Sequence, residues 1–115
     1  MSEKKELNEL ELERVAGGKI PDSALYFFLG YTWKQIENAV VTSGFLDAAS
    51  QAGHETAANA ARNVIDNQDI DTTDSTIFAY FVELKEFANT NPTQWVNALA
   101  VIEAIEKLGK SFGLI

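Results

Sequence analysis

Apolar residues recur at steps of three and four along most of this chain, and no segment shows convincing apolar–polar alternation. That pattern predicts helices and no strands. Pro21, Asp22 and Ser23 open a short apolar segment over 24–29, which Gly30 closes. Thr32 stands three residues before Gln35, the spacing of a reciprocal capping box. Trp33, Ile36, Ala39, Val40 and Ser43 then follow at helical spacing up to Gly44. A short helical stretch over 45–52 ends at Gly53. The segment 55–65 puts Ala57, Ala58, Ala61, Val64 and Ile65 on one side. The sequence DNQDIDTTD over 66–74 is polar and acidic and reads as a loop, with Thr73, Asp74 or Ser75 capping the next helix. Ile77, Phe78, Phe81, Leu84 and Ala88 form the stripe of that helix, with Phe87 beside it, and Asn91-Pro92 breaks it. Thr93 caps the last helix in this reading. Trp95, Leu99, Ile102, Ile105 and Leu108 align along it, Gly109 ends it, and 111–115 form an apolar tail. The expectation is an all-α fold, a small bundle of about four to five short helices.

The segment before Pro21 differs in character. Residues 7–18 read LNELELERVAGG. Wound as a helix, Leu7, Glu11, Val15 and Leu12 fall near 0°, about 40°, about 80° and about 140°, a continuous apolar stripe with an acid inside it. A shallow apolar groove on another protein can grip such a stripe and pair Glu11 with a cation. The stripe ends at Gly17-Gly18. Glycine is an ordinary helix stop, because it takes the left-handed conformation without steric penalty. A pair of glycines also suits a narrow peptidase cleft, where only bare backbone lets the scissile carbonyl sit between a thiolate and its oxyanion donors.

Leu7, Glu11, Leu12, Val15, Gly17 and Gly18 together resemble the double-glycine leader peptides of bacteriocin-type precursors. The resemblance is confined to residues 1–18. It implies recognition of Leu7, Glu11, Leu12 and Val15 by the cysteine peptidase domain of an ABC exporter. It also implies a cut after Gly18 that leaves Lys19 as the new N-terminus. The chain then divides into a leader, 1–18, loosely attached as an N-terminal helix, and a helical cargo, 19–115. Such a precursor is synthesised in the bacterial cytoplasm and secreted after leader removal.

Composition narrows the cargo's chemistry. The chain has 115 residues, enough for one domain with a modest core. With 46% hydrophobic and 23% charged residues it is globular in type rather than disordered. Its net charge is −8. Residues 1–18 carry three cations against five glutamates, so 19–115 carry −6. An acidic cargo repels nucleic-acid phosphates and gains nothing from an anionic bilayer, so neither nucleic acid nor membrane contact is expected. There is no cysteine, which excludes disulfides, thioether rings and cysteine metal sites. No apolar run reaches the length of a transmembrane helix.

The candidate chemistry is sparse. His54 is the single histidine, and its neighbour Glu55 points away from it on a helix. It reads as an exposed residue at a helix start. Asp66, Asp69, Asp71 and Asp74 form the densest acidic cluster, but they lack the glycine, spacing and terminal glutamate of a calcium loop. They read as a solvated loop in which Asp74 also serves as a cap. Ala49, Gly53, Ala57 and Ala61 lie four apart, which suits close helix packing in a bundle, the other reading being that Gly53 simply breaks the helix. Tyr26, Phe27, Phe28, Tyr31 and Trp33 place five aromatics in eight residues, more than one helix face buries. Most belong in the core, with one or two exposed as a contact surface.

No catalytic site, metal or cofactor is therefore expected. The functional expectation is a secreted precursor with a bacteriocin-like or signalling cargo and an extracellular target. The alternative is a cytoplasmic helical interaction module of the adaptor or immunity type, which fits the acidic helical composition but leaves the leader unexplained.

Overall fold

The structure is a computed structural model that describes residues 22–115. Those residues form six α-helices: α1 (Asp22–Leu29), α2 (Trp33–Glu37), α3 (Phe45–Gln51), α4 (Glu55–Asn67), α5 (Ser75–Ala88) and α6 (Val96–Ser111). One π-helical turn, Asn38–Thr42, runs straight on from α2. Among the described residues there is no strand, so the all-helical bundle expected from periodicity is what forms.

Local chemistry sets most boundaries. Gly30 leaves α1 at φ +78°, a conformation open to glycine because it lacks a Cβ. Thr32 then caps α2: its hydroxyl accepts from the Gln35 N–H at 3.1 Å, and the Gln35 side chain accepts from the Thr32 N–H at 2.9 Å. Two of the orphan amides at the helix start are satisfied at once. Of the three residues that sequence offered as the cap of α5, Asp74 takes the role, accepting from the Thr76 N–H at 2.9 Å.

Burial follows the stripes. Ala57, Ala58, Ala61, Val64 and Ile65 of α4 are all buried, as are Phe78, Phe81, Leu84 and Ala88 of α5. Ile77 and Phe87 are only partly buried beside them. On α6 the buried set is Ala98, Val101, Ile102, Ile105, Leu108 and Gly109, with Leu99 at its edge. The core draws on every helix, and Phe45, Phe78 and Phe81 are its largest fully enclosed side chains. Helices adjacent in sequence pack on each other: α3 on α4, α4 on α5 and α5 on α6. Helix α1 instead packs on α6, at the far end of the chain.

The structure departs from the sequence reading at four places. Gly109 does not end the last helix. It lies inside α6, where its missing side chain makes room for Phe78: a Cβ there would stand 2.6 Å from Phe78 Cδ1. Thr93 does not cap α6, whose first turn has no side-chain cap. The turn before it is held by Asn91, which donates to the Gln94 side chain at 2.8 Å and accepts the Trp95 N–H at its carbonyl. Gly53 takes no part in a packed stripe with Ala49, Ala57 and Ala61. Those three alanines are buried, whereas Gly53 is exposed at φ +103° in the turn between α3 and α4. Finally, the regular helix over 33–43 widens into its π turn, and the Ser43 hydroxyl bonds back to the Ala39 carbonyl at 2.6 Å.

Candidate functional site

Leu7, Glu11, Leu12, Val15, Gly17, Gly18 and Lys19 all lie outside the described residues, so the expected recognition stripe and cut are set by sequence alone. The structure speaks to the candidates within 22–115.

His54 is not the solitary surface residue expected. It occupies the position before α4, and its ring reaches across to Glu83 of α5. Nδ1 lies 2.6 Å from Glu83 Oε2, and the ring sits 5.5 Å from Phe87, centroid to centroid. Both partners are partly exposed, at 33% and 41% of their side-chain surface. A carboxylate fixes the orientation of an imidazole in this way at many catalytic sites, but here the contact joins the α3–α4 turn to α5. Periodicity could not find it, because 29 residues separate the two side chains.

The acidic cluster is a loop, as its composition suggested, and its aspartates serve the loop itself. Asp71 accepts from the Thr73 hydroxyl at 2.6 Å and from the Thr73 N–H at 2.9 Å. The hydroxyl bond, reinforced by the backbone bond, holds the Asp71 carboxyl below its ordinary range, with a slight opposing effect of burial. Ile70 turns inward and is fully buried, which anchors the acidic segment to the core. Among the described residues no group of three or more His, Asp or Glu side chains is arranged to hold a metal ion. No helix among them is long and apolar enough to cross a membrane.

The aromatic cluster divides as its density required. Trp33 is buried, Phe28 and Tyr31 are partly buried against the core, and Tyr26 and Phe27 are 57% and 49% exposed. Phe28, Leu29 and Tyr31 form one wall of a groove of about 640 Å³. Ala100, Glu103, Ala104 and Lys107 of α6 supply much of the other wall. The Phe27 ring stands edge-on to Phe28 at 5.2 Å, at the groove's rim. Below the rim, Glu106 receives two 2.8 Å contacts from Lys85 Nζ of α5. The groove is amphipathic and open, suited to binding side chains of another molecule rather than enclosing a small substrate. Its sequence signal was the excess of aromatics over 26–33. Its second wall was invisible, because 70 or so residues of chain intervene.

Comparison of the chain with family models, with curated proteins and with solved structures finds no match.

Proposed function

We propose that the chain is the precursor of a secreted bacterial protein. Residues 1–18 direct it to a peptidase-containing ABC exporter, which cuts after Gly18 and releases residues 19–115. The spacing of Leu7, Glu11, Leu12 and Val15 before Gly17-Gly18 carries this reading. The described residues support it by assembling a buried core between Leu29 and Leu108, which a cargo needs if it is to stay folded without its leader. The cargo acts by binding an extracellular target, as a bacteriocin-like effector or a signal, and not by catalysis.

Incubation with a cognate exporter peptidase domain is expected to leave Lys19 as the N-terminus, read by mass spectrometry. Gly18→Val is expected to abolish that product, because a branched side chain does not enter a cleft shaped for backbone. Leu12→Ala and Val15→Ala are expected to slow the initial cleavage rate roughly tenfold or more at subsaturating substrate, as an apolar side chain buried in a groove contributes roughly 1.5–3 kcal/mol. Arg14→Ala, beyond the edge of the stripe, leaves the rate nearly unchanged, and Glu11→Ala falls between. Efficient cutting of Gly18→Val, or a Leu12→Ala rate equal to wild type, removes the basis for the reading.

A further inference from the structure

The α1–α6 groove has a charge order that depends on direction. Along α6 the acids come first, Glu103 and Glu106, and the bases follow, Lys107 and Lys110. These four charges sum to zero in a region, 19–115, that otherwise carries −6. Most of the surface therefore repels a second copy of the chain, and this face does not. A two-fold axis through the middle of the face reverses the order. Glu103 of each copy then meets Lys110 of the other, twice over, as an isologous contact requires. Glu106 is held by Lys85 at 2.8 Å, and Lys110 reaches it only at 4.0 Å with 62% of its own side chain exposed, which leaves that ammonium free to turn outward.

The same face supplies both a protrusion and a recess. Tyr26 and Phe27 stand half out of the surface of α1, Phe27 edge-on to Phe28, and the groove is walled by Phe28, Tyr31 and Ala104. Self-complementarity needs both on one patch. We infer that this face is a homodimer contact, in which the rim aromatics of each copy cover the groove of the other and α6 helices run antiparallel across the axis.

The area sets the strength. A buried aromatic removes roughly 150–250 Å² from water, so two half-exposed rings supply roughly 200 Å² per copy. A stable pair needs about 800 Å² per partner, and the surrounding helix surface makes up only part of the difference. The dimer is accordingly weak, with a dissociation constant of about 0.1–1 mM. The inference stands whether or not the export reading holds.

Sedimentation velocity of the full chain from about 10 µM to about 1 mM spans that range. The expected result is a mass that rises from 12.6 kDa toward twice that value. Phe27→Glu is expected to weaken association at least about tenfold. E103K and K110E each place like charges across the axis, and each alone is expected to weaken self-association about fivefold at low salt. Mixed in equal amounts, these two variants are expected to associate more strongly than either alone and close to the native chain, because the two reversed charges pair with each other and the two native ones do the same. Unchanged helical circular dichroism in every variant keeps the reading tied to the surface. A native chain that stays at 12.6 kDa throughout, a Phe27→Glu variant that associates normally, or a mixture no stronger than its components would each overturn the inference.

Discussion

Helix α6 is held by α5 on one side and by α1 on the other, and the two contacts differ in kind. The α5 side contributes Phe78, Phe81, Leu84 and Ala88, each at most 1% exposed, and the Phe78 ring fills the gap left at Gly109. It also contributes Lys85, whose ion pair with Glu106 is itself largely covered, at 25% and 13% side-chain exposure. The α1 side has Leu29 as its one buried hydrophobic residue among those whose side chains are described, while Tyr26 and Phe27 face solvent. Close packing on the first side fixes a single arrangement. The second side is a helix of eight residues, too short to persist on its own propensity, and among its described side chains Leu29 alone is buried. The bundle thus has an interlocked body and a lightly held edge, and the exposed aromatics belong to the edge.

The sharpest way to break this contrast is a pair of matched truncations. Leu84→Ala is expected to cost about 2–5 kcal/mol of unfolding free energy, the range for a fully buried leucine. Leu29→Ala is expected to cost less than half as much, because α1 can shift to close the space or detach while the rest stays folded. Urea denaturation followed by circular dichroism measures both, and equal losses would mean that α1 is as integral as α5.

Gly109→Ala is the next test. Alanine is favoured over glycine inside a helix by about 1 kcal/mol, so an open position would gain stability. Here the new methyl would meet Phe78 Cδ1 and Cγ at 2.6 and 2.8 Å. Overpacking of this kind costs about 1–3 kcal/mol, so a net loss of about 1 kcal/mol is expected in the same denaturation measurement. A gain would show that the α5–α6 contact yields more readily than its burial implies.

The smallest effect is at the approach to α5. The Thr73 hydroxyl holds the Asp71 carboxylate, whose folded-state pKa is therefore depressed. A depressed carboxyl stabilises the fold above its ordinary titration range and loses that contribution as pH falls through the folded value. Thr73→Val removes the hydroxyl and is expected to lower stability slightly at neutral pH. The difference from wild type should vanish as acid protonates Asp71. Thermal melts of both proteins at neutral pH and at low pH test the sign, and a difference that grows in acid would reverse it.

Much of the body was legible because its cause is local. The α4 stripe is continuous and small-residued, so its five apolar positions could face only one way. The Thr32–Gln35 box and the Asp74 cap depend on residues within three positions of each other. What escaped depends on distant neighbours. Glycine at 109 follows the local rule for a helix stop, yet the ring of Phe78, 31 positions earlier, decides its role. His54 and Glu83, or Lys85 and Glu106, carry no pattern that announces their meeting. The groove is of the same sort: its aromatics were visible as a surplus, but its floor and second wall arise only when the two ends of the described chain come together. The leader proposed over 7–18 is the opposite case: it rests on spacing alone and lies beyond the described residues.

The joining of those ends also sets a timetable. Helices α3 to α6 each find a neighbour next to them in sequence, so their assembly needs only short loops to close and belongs to the fast, low-contact-order class of folding. Helix α1 must wait. A chain emerging from the ribosome N-terminus first has α1 in hand while α6, its docking partner, has yet to be made. That contact closes the longest loop between any two packed helices, at an entropic cost that grows only slowly with length. The contact that builds the groove thus waits for the end of synthesis, and a chain halted before residue 96 has the aromatics of the first wall but no site.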